Sequence, residues 1–161
     1  MPGKSKSHKV TKATAEDARL ILELYDLRRE QKMREARDFM AQEFWPQSYD
    51  DFMNLVGTIG SEENRHFRQT MTYWDMAASL VVHGALNYDL FQANSGEMYY
   101  FYAKIKPYLK ELRQRLGQWT YIQHIEKVIE GSPKGREKLA IVEQSIAKLI
   151  QTKRAAAAAK G

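Results

Sequence analysis

Apolar residues recur along this chain at three- and four-residue steps, and the steps predict helix after helix. Leu20, Leu24 and Leu27 begin one stripe, and Met33, Ala36, Phe39 and Met40 resume it. Thr14 is placed to cap this first run, with Glu16 and Asp17 in its first turn and Pro46 ending it. The pattern predicts one long N-terminal helix of about 28–30 residues, roughly 42–45 Å. Its middle, residues 28–35, has six charged residues in eight. There Glu30–Arg34 and Arg34–Asp38 have the spacing of favourable ion pairs.

A short helix over 49–56 follows, with Ser48 as N-cap. Ser61 opens a third helix carrying Phe67, Met71, Trp74 and Ala78, which stops at His83-Gly84. Asn87 caps one or two further turns through Phe91, and Asn94-Ser95-Gly96 reads as a loop. Met98, Phe101 or Tyr102, Ile105, Leu109, Leu112 and Leu116 then mark a helix that Pro107 should kink or split. Trp119, Ile122, Ile125 and Ile129 predict a shorter helix, residues 131–135 a loop, and Leu139 to Ile150 a last helix. No strand pattern competes. The fold expected is all-α, a single-domain antiparallel bundle of five to seven helices over residues 14–154, between a basic disordered tail (1–13) and an Ala-rich tail (155–161).

Length agrees with one domain: 161 residues suffice for a core without staples. The absence of cysteine removes disulfides and thiolate chemistry. No secretory signal and no long apolar run is visible, so a cytoplasmic protein without a transmembrane segment is expected.

The net charge of +5 is a sum of unlike parts. Residues 1–12 carry +4 through Lys4, Lys6, Lys9 and Lys12, residues 46–103 carry −5, and residues 131–161 carry +5. Of 18 aromatic residues, 17 lie between Phe39 and Tyr121. An acidic, aromatic centre between cationic ends moves any contact with nucleic acid or an anionic membrane to the termini.

The segment TMTYWDMAASLVVHGALNYDLFQ and the following YYFYAKIKPYLKELR carry a diffuse motif. It comprises Trp74-Asp75, Gly84, Asp89-Leu90, Pro107-Tyr108-Leu109 and Arg113. Over about residues 70–115 the chain resembles a group of bacterial all-helical domains of unknown function. The resemblance implies an all-α fold and assigns no activity. In many members of that group a membrane helix precedes the domain; here a basic stretch stands in its place.

Candidate chemistry is sparse. Glu63 and His66 form an E-x-x-H, the spacing of helical di-iron sites, but no second copy occurs, so a metal would need a dimer. Four scattered histidines support no catalytic triad. Asp75 lies one step off an apolar stripe and needs a partner, such as Arg113, a tyrosine or the cap of a neighbouring helix. Tyr99, Tyr100, Tyr102 and Tyr108 cover more than one helical face, enough for a pocket or an oligomer contact. Trp74, Asp75, Tyr99, Tyr102, Tyr108 and Arg113 are the candidate binding residues. The sequence therefore reads as a non-enzymatic interaction or oligomerisation module, with a protein partner or a second copy and no cofactor. Weak polyanion binding through the basic termini, and a metal enzyme at Glu63 and His66, are the alternatives.

Overall fold

The computed structural model describes residues 11–160, and eight helices account for nearly all of them. They are α1 (Ala15–Arg28), α2 (Gln31–Gln42), α3 (Tyr49–Val56), α4 (Glu62–Val82), α5 (Tyr88–Asn94), α6 (Gly96–Leu116), α7 (Gln123–Glu130) and α8 (Pro133–Ala158). No strand occurs among the described residues. Nor is any described helix long and apolar enough to cross a membrane.

The long N-terminal helix is two helices. At the break, Arg29 N–H turns back to Asp26 O at 2.9 Å, and Glu30 becomes the extended N-cap of α2. Its carboxylate accepts from Met33 N–H at 3.0 Å. Glu30 is thereby used as a cap, and the ion pair in this stretch is Lys32–Glu35 rather than Glu30–Arg34. The physical reason is the charged run itself. It offers no apolar stripe, so nothing holds it straight, and a break lets Leu24 and the Met33–Ala36–Phe39–Met40 face reach one core.

Caps decide the other boundaries much as the sequence suggests. Thr14 and Asp17 form a reciprocal capping box, Ser48 accepts from Asp51 N–H, Ser61 from Asn64 N–H and Asn87 from Leu90 N–H. Ser132 caps α8, and Pro133 stands at its first position, where the missing N–H costs nothing. The last helix thus begins inside the expected 131–135 loop and runs on through the alanines, which favour helix though exposed.

Pro107 does not split α6. The helix is held on both sides of the proline: Lys104 Nζ donates to Met40 O at 2.7 Å, and Tyr108 OH donates to Pro46 O at 2.9 Å. Leu109 and Leu112 are buried beyond it. This tertiary anchoring offsets the lost backbone bond.

Helix α4 packs against α2 and α7, and α6 packs against α8. Between them lies a core of aromatic and sulfur-bearing side chains, in which Phe44, Phe52, Phe91, Phe101, Met40, Met71 and Met98 are fully buried. Phe52 is the hub of its aromatic part. It meets Phe44 and Phe67 edge-on, at centroid distances of 5.9 and 5.5 Å, and stacks on Tyr108 at 5.5 Å.

Candidate functional site

The six binding residues read from the sequence do not converge. They fasten joints between helices, and Asp75, Tyr102 and Arg113 all act on α7 or the turn before it. Trp74, 2 % exposed, donates its indole N–H to Glu97 Oε1 at 3.2 Å, and Arg37 reaches the same carboxylate at 2.7 Å. Tyr99 OH donates to Gln92 Oε1 at 2.5 Å, while Lys138 Nζ sits 4.5 Å over its ring. Tyr102 OH donates to Glu130 Oε1 at 2.7 Å. Burial pushes the Tyr99 and Tyr102 phenols up, and at Tyr102 the bond to the carboxylate adds to that, so both stay protonated donors. Tyr99 and Tyr102 are therefore interior residues rather than a contact surface. Tyr108 ties α6 to the residue following Trp45, and Tyr100 is half-buried, edge-on to Trp45.

Asp75 has the partner that a half-buried carboxylate needs, and it is a helix end. Helix α7 starts after Ile122, which has a left-handed backbone (φ 49°) and no capping side chain. Asp75, from α4, supplies the cap. Its Oδ1 accepts from His124 N–H at 3.0 Å and Ile125 N–H at 3.2 Å. Its Oδ2 lies 2.8 Å from His124 Nδ1. Two backbone donors and a ring nitrogen on one carboxylate make a charge-assisted cap at the positive end of the helix dipole.

The Asp75–His124 pair also borders an open cleft with Thr72, Ser79 and Thr120. Carboxylate and imidazole alone do not make a nucleophilic site. The Ser79 hydroxyl donates to Met76 O and the Thr72 hydroxyl to Arg68 O, so neither is bonded to the imidazole. Arg113 acts at the other side of the same turn, donating from Nη2 to Tyr121 O at 2.7 Å and pairing with Glu126.

Glu63 is exposed, and the His66 ring packs 5.6 Å from Phe39. No group of three His, Cys, Asp or Glu side chains able to hold a metal occurs among the described residues. Of the basic tail, Lys12 is exposed; Lys4, Lys6 and Lys9 lie outside the described residues.

One site was missed. Lys104 is 5 % exposed, and its ammonium donates to the final-turn carbonyls of α2, Met40 O at 2.7 Å and Ala41 O at 3.3 Å. The Trp45 and Tyr100 rings stand 3.7 and 4.4 Å from Nζ. Burial, helped by nearby Lys153, pulls its pKa down to about 7. In sequence Lys104 is only a lysine within an apolar run, and nothing marks the α2 carbonyls that it meets.

These joints define a domain whose polar groups serve its own helices. A family model described as a domain of unknown function (DUF4760) matches residues 13–132. The chain belongs to this family. The DUF4760 match extends well beyond the motif over 70–115 on both sides, and it ends at Ser132, the N-cap of α8. Comparison with curated proteins and with solved structures gave no match.

Proposed function

We propose that this DUF4760 domain is a non-enzymatic self-association module in which two copies meet through the outer side of α1. The observation that carries this reading is the poor burial of that helix. Among its 14 residues only Leu24 is buried, whereas Leu22, Tyr25 and Leu27 remain 67, 53 and 55 % exposed. Leu22 and Tyr25, three residues apart, share the side of the helix opposite Leu24, and two large apolar side chains left open there are a surface that gains by being covered.

The charge order of α1 supports a second copy as the cover. Exposed Glu16 stands at its start and exposed Arg29 just past its end. Two such helices paired antiparallel about a two-fold axis set each acidic end against the other's basic end, which is the self-complementarity that a closed dimer requires. Tyr99, Tyr102 and Tyr108 of α6 do not add to this surface, because their hydroxyls are used inside the domain.

Sedimentation velocity over a micromolar to submillimolar series tests the reading. The wild-type mass doubles with concentration, and Leu22→Glu/Tyr25→Glu stays at one copy with unchanged helical circular dichroism. A wild-type mass of one copy throughout the series overturns it.

A further inference from the structure

A second feature lies away from α1. Helices α3, α4 and α6 and the turn before α7 enclose a cleft of about 420 Å³. Phe52, Val56, Phe67 and Leu112 form apolar walls. Ile59 and Leu116, 87 and 51 % exposed, also line the cleft and leave apolar surface open to solvent. A concave, largely apolar space with a few polar groups is the usual form of a small-molecule site.

The polar groups of this cleft are unusual in what they lack. Asn64 is 7 % exposed, and its Nδ2 donates to Val56 O at 2.7 Å, which fixes the amide orientation. Its Oδ1 is then a buried acceptor without a hydrogen bond among the described residues. Tyr121 also lines the cleft, and its hydroxyl is likewise buried and unbonded. Burial, with the Asp75 carboxylate nearby, pushes that phenol up, so it stays a donor. Two unpaired buried polar atoms in one cleft stand out, because such atoms nearly always have partners. Arg68 completes the lining; it is exposed, and its guanidinium makes no ion pair among the described residues. The Asp75 carboxylate is already committed to the N-terminus of α7.

We propose that this cleft binds a small, mostly apolar carboxylic acid bearing a hydroxyl group. The apolar body lies against Phe52, Val56, Phe67 and Leu112, and the carboxylate faces Arg68. The ligand hydroxyl donates to Asn64 Oδ1, and Tyr121 OH donates to a ligand oxygen. An acid suits the site better than a neutral molecule because Arg68, without an ion pair among the described residues, presents a guanidinium, which matches a carboxylate in shape and charge. A hydroxyl suits it because Asn64 Oδ1 can only accept. The inference is independent of the α1 dimer, since no residue of α1 lines the cleft.

Titration of the full chain, followed by NMR of the Leu112 and Leu116 methyls, tests the site with three probes: 3-hydroxyoctanoate, octanoate and 1,3-octanediol. 3-Hydroxyoctanoate binds most tightly. Octanoate, which lacks the hydroxyl, and the diol, which lacks the charge, each bind about threefold to tenfold more weakly, the worth of one hydrogen bond. Arg68→Gln weakens both acids by about tenfold and leaves the diol unchanged, as loss of a charged partner requires. Tyr121→Phe weakens 3-hydroxyoctanoate about threefold to tenfold without lowering the melting temperature, since the hydroxyl it removes has no partner in the free protein. Absence of methyl shifts with either acid overturns the proposal. So does diol binding as tight as acid binding, or an Arg68→Gln variant that binds normally. Methyl shifts that follow protein concentration without any probe also overturn it, because they mean that a second copy fills the cleft.

Discussion

Asp75 and Lys104 are both ionisable residues on the edge of an apolar stripe, and they meet opposite fates. Asp75 accepts two backbone N–H groups at the start of α7, where the dipole favours an anion. Asp75→Ala should destabilise the domain by about 2 kcal/mol, as loss of a good cap does, and Asp75→Asn by less, because the amide oxygen still accepts. Chemical denaturation of the three proteins measures the order. Lys104 is buried among aromatic rings, and its pKa falls from the ordinary 10.5 to about 7. Between those values the unfolded chain binds one proton more than the folded one, so this group makes stability rise with pH, by up to about 1.4 kcal/mol per unit. Below about pH 7 the gain is absent. Urea midpoints across that range should climb for the wild type and flatten for Lys104→Met; equal slopes would show that the buried ammonium keeps its proton. The requirement for a partner at Asp75 was legible from its place beside an apolar stripe. A neighbouring helix end was among the candidate partners, but which helix end was not legible, because a backbone N-terminus carries no sequence signature.

At the level of helices, local signals fixed starts and longer-range packing fixed continuity. Thr14, Ser48, Ser61 and Asn87 cap where their side chains and spacing predict. The errors fall where tertiary contact overrides a local rule: α1 and α2 separate although the apolar stripe resumes, and α6 continues although it contains Pro107. Trp119 fits the α7 stripe by spacing yet precedes the helix and is 65 % exposed, because the left-handed Ile122 resets the chain. The joint between α7 and α8 depends on close approach. A Cβ on Gly135 would lie 2.1 Å from Ile129 O and 2.9 Å from Ile129 C, both backbone atoms. Gly135→Ala should therefore cost about 1–3 kcal/mol, although alanine is the better helix former in isolation. Thermal unfolding measures it, and a neutral or stabilised variant would show that the α7–α8 joint can open at little cost.

Over the whole molecule, the DUF4760 match ends at residue 132 but the packing does not. Leu139 and Ile146 of α8 are buried in the same core as Tyr99, Phe101 and Ile105 of α6. Lys138 reaches Gln92 O at 2.6 Å, and Ser132 bonds to Tyr88. A chain stopped at residue 132 should bare this face of α6, bind a hydrophobic dye and lose cooperative melting. A chain stopped at residue 152 should melt like the full protein, because residues 151–160 are exposed. Cooperative melting of the shorter chain would mean that α8 is an accessory rather than part of the folding unit.

The all-α class, most of the caps and the aromatic centre between cationic ends are readable from the order of residues alone. These follow from periodicity, turn chemistry and composition, which act within a few residues of chain. Which buried polar groups find partners depends on the packed fold. It gave Asp75 a helix end and Lys104 two carbonyls and two rings, and it left Asn64 Oδ1 and the Tyr121 hydroxyl unbonded beside an apolar cleft. Those outcomes join residues tens of positions apart through distance and direction, which the order of side chains along the chain does not encode.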